Sequence, residues 1–162
     1  MFVQTVYESR ITGNFGPLVL LALQKSAVVR NRELGITSFL YHDTERIFQV
    51  VEGDSDVLTS TMGRIQASNL HTDIKARAML RCEERSFAHW YFGATHAQDP
   101  HFLRVYRALK KPPFFKLDVV DAVQILQMVA RKKRRAVKMD QFSIKVRNFN
   151  KNKEPRALLA VP

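Results

Sequence analysis

A chain of 162 residues, 46% of them hydrophobic, suits one domain with appended elements and is long enough to bury about two thirds of its surface on folding. One cysteine, Cys82, excludes an internal disulfide framework and fits a reducing compartment. No window approaches about 18 apolar residues and no basic-then-apolar leader opens the chain, so a soluble, cytoplasmic protein with no membrane span is expected. The net charge of +11 is uneven: residues 131–162 hold 11 of the 26 Lys/Arg and 2 of the 15 Asp/Glu, which puts about nine of those charges in the tail. Such a tail either keeps the chain in solution or meets a polyanion.

Met1 to Tyr7 reads as a strand, and residues 12–16 as a loop. Pro17 then stands at the first turn of a helix running to about Asn31, with Leu18, Leu21, Ala22, Val28 and Val29 near one face. Ile36 to Tyr41 and Arg46 to Val51 are β-prone runs joined by His42-Asp43-Thr44-Glu45, a hairpin. Asp54 or Ser55 caps a second helix to about Ala67. Ile74, Ala76, Ala78 and Leu80 alternate with polar or long side chains, and Phe87 to Ala94 reads as the last strand. The order is βαββαββ, an α+β sheet with two helices on one face.

Asp99-Pro100 opens a short third helix through Leu109, which Pro112-Pro113 ends. Asp118 caps a fourth, to about Lys138, whose apolar face gives way to Arg131-Lys132-Lys133-Arg134-Arg135, cations that complement the helix dipole. Residues 140–149 alternate weakly, and 148–162 show no pattern.

No metal-ligand spacing and no phosphate-cradling glycine loop is present, so no metal site is expected. Arg46-Ile47-Phe48-Gln49-Val50-Val51 lacks the aromatic platform an RNA-binding sheet needs. Glu83, Glu84, His71 and His89 form no catalytic constellation, and no catalytic residue or enzyme activity is expected. The polar residues that stand out are Tyr7, Asn31 and Gln49. They fall within the apolar pattern of core elements and must be satisfied there. Taken singly, each is an ordinary sheet or helix-end residue. Converging on one ligand, a phenol and two amides match the N3–H, C4=O and N5 of an isoalloxazine ring.

At Tyr7-Glu8-Ser9, Arg30-Asn31-Arg32-Glu33-Leu34-Gly35-Ile36-Thr37, Phe48-Gln49-Val50-Val51-Glu52-Gly53 and Arg85-Ser86-Phe87-Ala88-His89-Trp90, the chain resembles the BLUF family of blue-light sensors that use FAD. Residues 1–95 carry the resemblance, which implies a ferredoxin-like flavin domain, then a helical extension (96–139) and a basic tail (140–162). It implies non-covalent FAD between the two helices. Tyr7, Gln49 and Trp90 are then the photochemical residues, and Tyr7, Asn31, Gln49, Arg30, Arg32, Leu40, Ile47 and His71 the cofactor-binding ones. Asn31 would hold the pyrimidine edge and Gln49 would bridge Tyr7 to the ring. Ala27, Leu70 and Phe92 depart from the family's usual hydroxyl, arginine and methionine. A homo-oligomer, a downstream protein and a polyanion at the tail are the partners implied; the competing reading is a light-insensitive interaction module or nucleic-acid-associated regulator acting through the tail.

Overall fold

The structure, a computed structural model, describes residues 2–13 and 15–151, the side chains of 140–151 excepted. Five strands, β1 (Phe2–Ile11), β2 (Thr37–His42), β3 (Arg46–Asp54), β4 (His71–Cys82) and β5 (Gly93–His96), form one sheet in the order β4-β1-β3-β2-β5. All neighbours are antiparallel except β2 and β5. Helices α1 (Pro17–Glu33) and α2 (Ser55–Gln66) follow β1 and β3 as expected, then α3 (Pro100–Leu109), a 3-10 turn (Phe114–Lys116) and α4 (Val119–Lys151). Residues 1–130 form one compact unit, and those from Arg131 a second.

The punctuation is local chemistry. Asp43 Oδ1 accepts from the amides of Glu45 and Arg46 (2.8 and 2.7 Å), closing the β2–β3 hairpin. Asp99 Oδ1 caps α3 from the amides of His101 and Phe102, and Asp118 Oδ1 accepts from Asp121 N–H at the start of α4. Lys110 ends α3 in the left-handed region (φ 50°), just before the proline pair.

Alternation along the strands builds two cores. Val6, Phe39, Tyr41, Phe48 and Val50 point to one face, where they pack with Phe87, α3 and α4 as far as Ala130. Tyr7, Val3, Val51, Leu40 and Ile47 point to the other, and divide between a cluster under α2 with Ile36 and Leu58 and a cluster under α1 with Ala27 and Phe92.

Three expectations are corrected. The last strand is Gly93–His96 rather than Phe87 to Ala94: Phe87–Trp90 forms a turn closed by Trp90 N–H to Phe87 C=O (2.8 Å). Helix α1 turns Leu20, Leu23, Ala27 and Asn31 inward and leaves Leu18, Leu21 and Val29 exposed, because apolar residues occur all round it and periodicity could not select the face. Helix α4 continues to Lys151, past the end of its apolar pattern. Residues 152–162 lie outside the described residues.

Candidate functional site

The two clusters on the α1/α2 face do not meet, and between them lies an open cavity of about 790 Å³, its mouth and the adjoining solvent included. Tyr7 comes to it from β1, Leu40 from β2, and Ile47, Gln49 and Val51 from alternate positions of β3. Helix α1 contributes Asn31 and Arg30 from its last turn, and α2 contributes Thr61, Arg64 and Ile65. His71 and Phe92 also line it.

Tyr7 and Gln49 are direct cross-strand partners, and the Tyr7 hydroxyl donates to Gln49 Oε1. This bond engages the amide oxygen and leaves its N–H pair for a ligand. Tyr7 is 2% exposed, and burial pushes its phenol well above its ordinary pKa, so the hydroxyl is neutral and a donor. Asn31 Nδ2 donates to Tyr91 C=O at 2.5 Å, which frees Oδ1 as an acceptor. Ser38 Oγ donates to the same carbonyl at 3.3 Å. His71 Nδ1 lies 2.8 Å from Ser9 Oγ; burial lowers its pKa, against a hydrogen bond donated to the Ile65 backbone that raises it. Leu40, Ile47 and Phe92 supply flat apolar walls.

Of the residues expected at the site, Tyr7, Arg30, Asn31, Leu40, Ile47, Gln49 and His71 line this one cavity. Arg32 and Trp90 stand elsewhere. The Arg32 guanidinium lies over the Tyr91 ring (5.9 Å), and Trp90 packs edge-on against Phe39 (5.5 Å) in the core on the other face. Phe92, two residues later, occupies the cavity side. The residues missed by sequence reasoning are Ser38 and Arg64. Ser38 shares a face with Leu40, a signal already present in the alternation of β2. Arg64, whose Nη2 donates to Thr61 Oγ1 (2.8 Å), stands with Arg30 among the exposed lining residues, and no motif marked it.

Apolar walls, two amides and two cations thus meet in one sheet-borne cavity. The family described as sensors of blue-light using FAD, BLUF, matches residues 2–93, and the chain belongs to it; its cofactor is FAD. The photoactivated adenylate cyclase subunit beta of Euglena gracilis is 30% identical over 80 residues, 49% of this chain. The chain spans 9% of that relative's length. Two solved structures share the fold at 21% identity: BlrB, a BLUF protein in its dark state (TM-score 0.70, covering 81% of this chain and 96% of that one), and BlsA in its photo-activated state (0.69, 80% and 95%). Klebsiella pneumoniae BlrP1 with FMN and cyclic diGMP is 28% identical over a shared fold (TM-score 0.56, 59% of this chain and 26% of that one). Among the described residues no helix is long and apolar enough to cross a membrane.

Proposed function

We propose that the chain senses blue light through a Tyr7–Gln49 relay and signals by hydrogen-bond exchange rather than by turnover of a substrate. The observation that carries this reading is the Tyr7 hydroxyl donating to Gln49 Oε1 at the wall of the cavity. The residues present fit FAD: the Gln49 N–H pair and Asn31 Oδ1 suit the ring's polar edge, Leu40 and Ile47 its face, and Arg30 and Arg64 its phosphates. Excited by blue light, bound flavin supplies a strong one-electron oxidant. Tyr7 is the donor: a neutral buried phenol releases its electron and passes its proton along the hydrogen bond to the Gln49 amide. On return, Gln49 is left rotated or tautomerised, so the end that accepted from Tyr7 and the end that faced the cavity exchange roles. Little mass moves. The signal is a change of donors and acceptors that biases a neighbouring element.

The test is an absorption spectrum of the purified protein before and after blue light. Wild type is yellow and shows a reversible red shift; Tyr7→Phe and Gln49→Leu stay yellow and lose it. A colourless wild type supports the light-insensitive interaction module instead, and a normal photocycle in either variant overturns the relay. Trp90 lies on the opposite face from Tyr7, so in this reading it acts after the relay.

A further inference from the structure

Glu52 stands three residues beyond Gln49 on β3 and faces the other side of the sheet, with none of its surface exposed. Its two carboxylate oxygens are fully subscribed by neutral donors. Oε1 accepts from Gln4 Nε2 (2.9 Å) and Ser86 N–H (2.7 Å); Oε2 accepts from Thr37 Oγ1 (2.8 Å) and Phe87 N–H (3.0 Å). Arg85 goes instead to the Glu52 backbone carbonyl (3.3 Å) and to Thr37 Oγ1 (3.2 Å). A buried carboxylate is costly, and hydrophobic packing would fill the same space with less penalty. What the charge gains here is specific: it holds two consecutive backbone amides of a segment that belongs to no strand or helix.

That segment reaches both faces of the sheet. Trp90 C=O accepts from Ser38 N–H (2.9 Å), Tyr91 C=O accepts from Asn31 Nδ2, and Phe92 enters the cavity. Trp90 itself packs on Phe39 beneath α3 and α4. Gly93 seals the arrangement, since a Cβ there would lie 2.4 Å from the Phe39 ring and 2.9 Å from Trp90. Asn31 therefore grips one end of the run and Glu52 the other.

We infer that Glu52 is a positioning residue that fixes residues 86–92 on the sheet, keeping Trp90 on the α3/α4 face and Phe92 in the flavin cavity, so that a change at the cavity displaces a segment with a preset position. Its part in signalling rests on the photoreceptor reading; the positioning does not, and is measured in the dark. In Glu52→Gln the amide keeps one accepting oxygen. The Gln4 amide and the Thr37 hydroxyl can turn to suit it, but the amides of Ser86 and Phe87 cannot, and one of them loses its partner.

The experiment uses the full holoprotein. Trp90 is the one tryptophan of the chain, so its emission reports this segment directly. In Glu52→Gln, Trp90 emission moves to longer wavelength with greater acrylamide quenching, dark recovery changes, and exchange of the Ser86 and Phe87 amides accelerates on the order of tenfold. Val50→Ala, a core truncation on the same face, lowers stability and leaves all three unchanged. A folded Glu52→Gln with wild-type emission and exchange overturns the inference. If that variant does not fold, wild-type exchange decides. Protection of Ser86 and Phe87 like that of β3 supports the clamp, and exchange as free as at Glu83 and Glu84 overturns it. A wild type with no light response removes the photoreceptor reading and the dark-recovery readout, and leaves the emission and exchange measurements standing.

Discussion

The two faces of the sheet are built to different standards. On the α3/α4 face, Tyr41 stacks on Phe114 at 3.9 Å, Phe39 on Phe87 at 5.3 Å, and Leu126 and Val129 are wholly buried. On the α1/α2 face the apolar residues form two separate clusters with an open cavity between them, and buried polar groups line the gap. One face is closed and finished within residues 1–130; the other is left incomplete for a ligand to finish. Strand β3 reads both, since Ile47, Gln49 and Val51 face the cavity while Phe48, Val50 and Glu52 face the closed core. A chemical change at Gln49 thus lies one residue from packing that cannot absorb displacement without cost.

The largest effect that tests this contrast comes from neighbouring residues of β3. Phe48→Ala empties a closed core that cannot relax, and costs the apoprotein about 3–5 kcal/mol. Ile47→Ala enlarges a space that already exists, and its cost lies nearer about 2 kcal/mol, with a further loss in flavin affinity. Urea unfolding of both apoproteins measures the difference; equal costs would mean the two faces are equally packed.

Next in size is the cofactor edge. Asn31→Ala removes the Oδ1 acceptor and the grip on Tyr91 C=O, and an unpaired buried polar group costs about 1–3 kcal/mol. Flavin occupancy, read from the ratio of visible to protein absorbance, falls accordingly. Unfolding of the apoprotein changes less, since Ser38 Oγ still reaches the same carbonyl.

His71 gives a smaller, pH-dependent effect confined to the open face. Burial lowers its pKa in the fold, so from about pH 6.5 downward the unfolded chain takes up a proton that the folded one resists. Its contribution is complete above about pH 6.5 and is lost as the pH falls toward the depressed folded value. Thermal unfolding at about pH 7.5 and pH 5.5, in wild type and His71→Gln, isolates it: the wild type loses more stability between the two. An identical loss in both would assign the dependence to other groups.

The sequence made the elements and most of the cavity legible because both depend on short-range pattern. Alternation in β3 put Gln49 with Ile47 and opposite Phe48, and the caps Asp43, Asp99 and Asp118 announced turns and helix starts. Two kinds of information were out of reach. Helix α1, apolar all round, carries no signal of which side is inward, and Leu18, Leu21 and Val29 of the expected apolar face are exposed. The path of residues 86–92 is set by tertiary hydrogen bonds to Glu52, Ser38 and Asn31, and a run of aromatics read in isolation resembles a strand. Phe92 consequently lines the cavity, and Trp90, expected among the photochemical residues, packs on the other face.

The smallest effect on the body concerns the region with neither kind of core. Arg131, Arg135 and Lys138 are exposed, and the excess of about nine positive charges lies beyond Ala130, where the compact first unit ends. We propose that these cations meet a polyanion or an acidic partner. Binding of this kind is driven by counterion release and Coulomb steering, so it is weakly sequence-selective and falls steeply with salt. Truncation after Ala130 is expected to leave flavin occupancy and unfolding near wild type, because Leu126, Val129 and Ala130 complete the closed core. Retention on immobilised nucleic acid at low salt should disappear with the tail. Unchanged retention would move the output surface to the body, where the closed α3/α4 face and its Trp90 segment stand one strand thickness from the cavity.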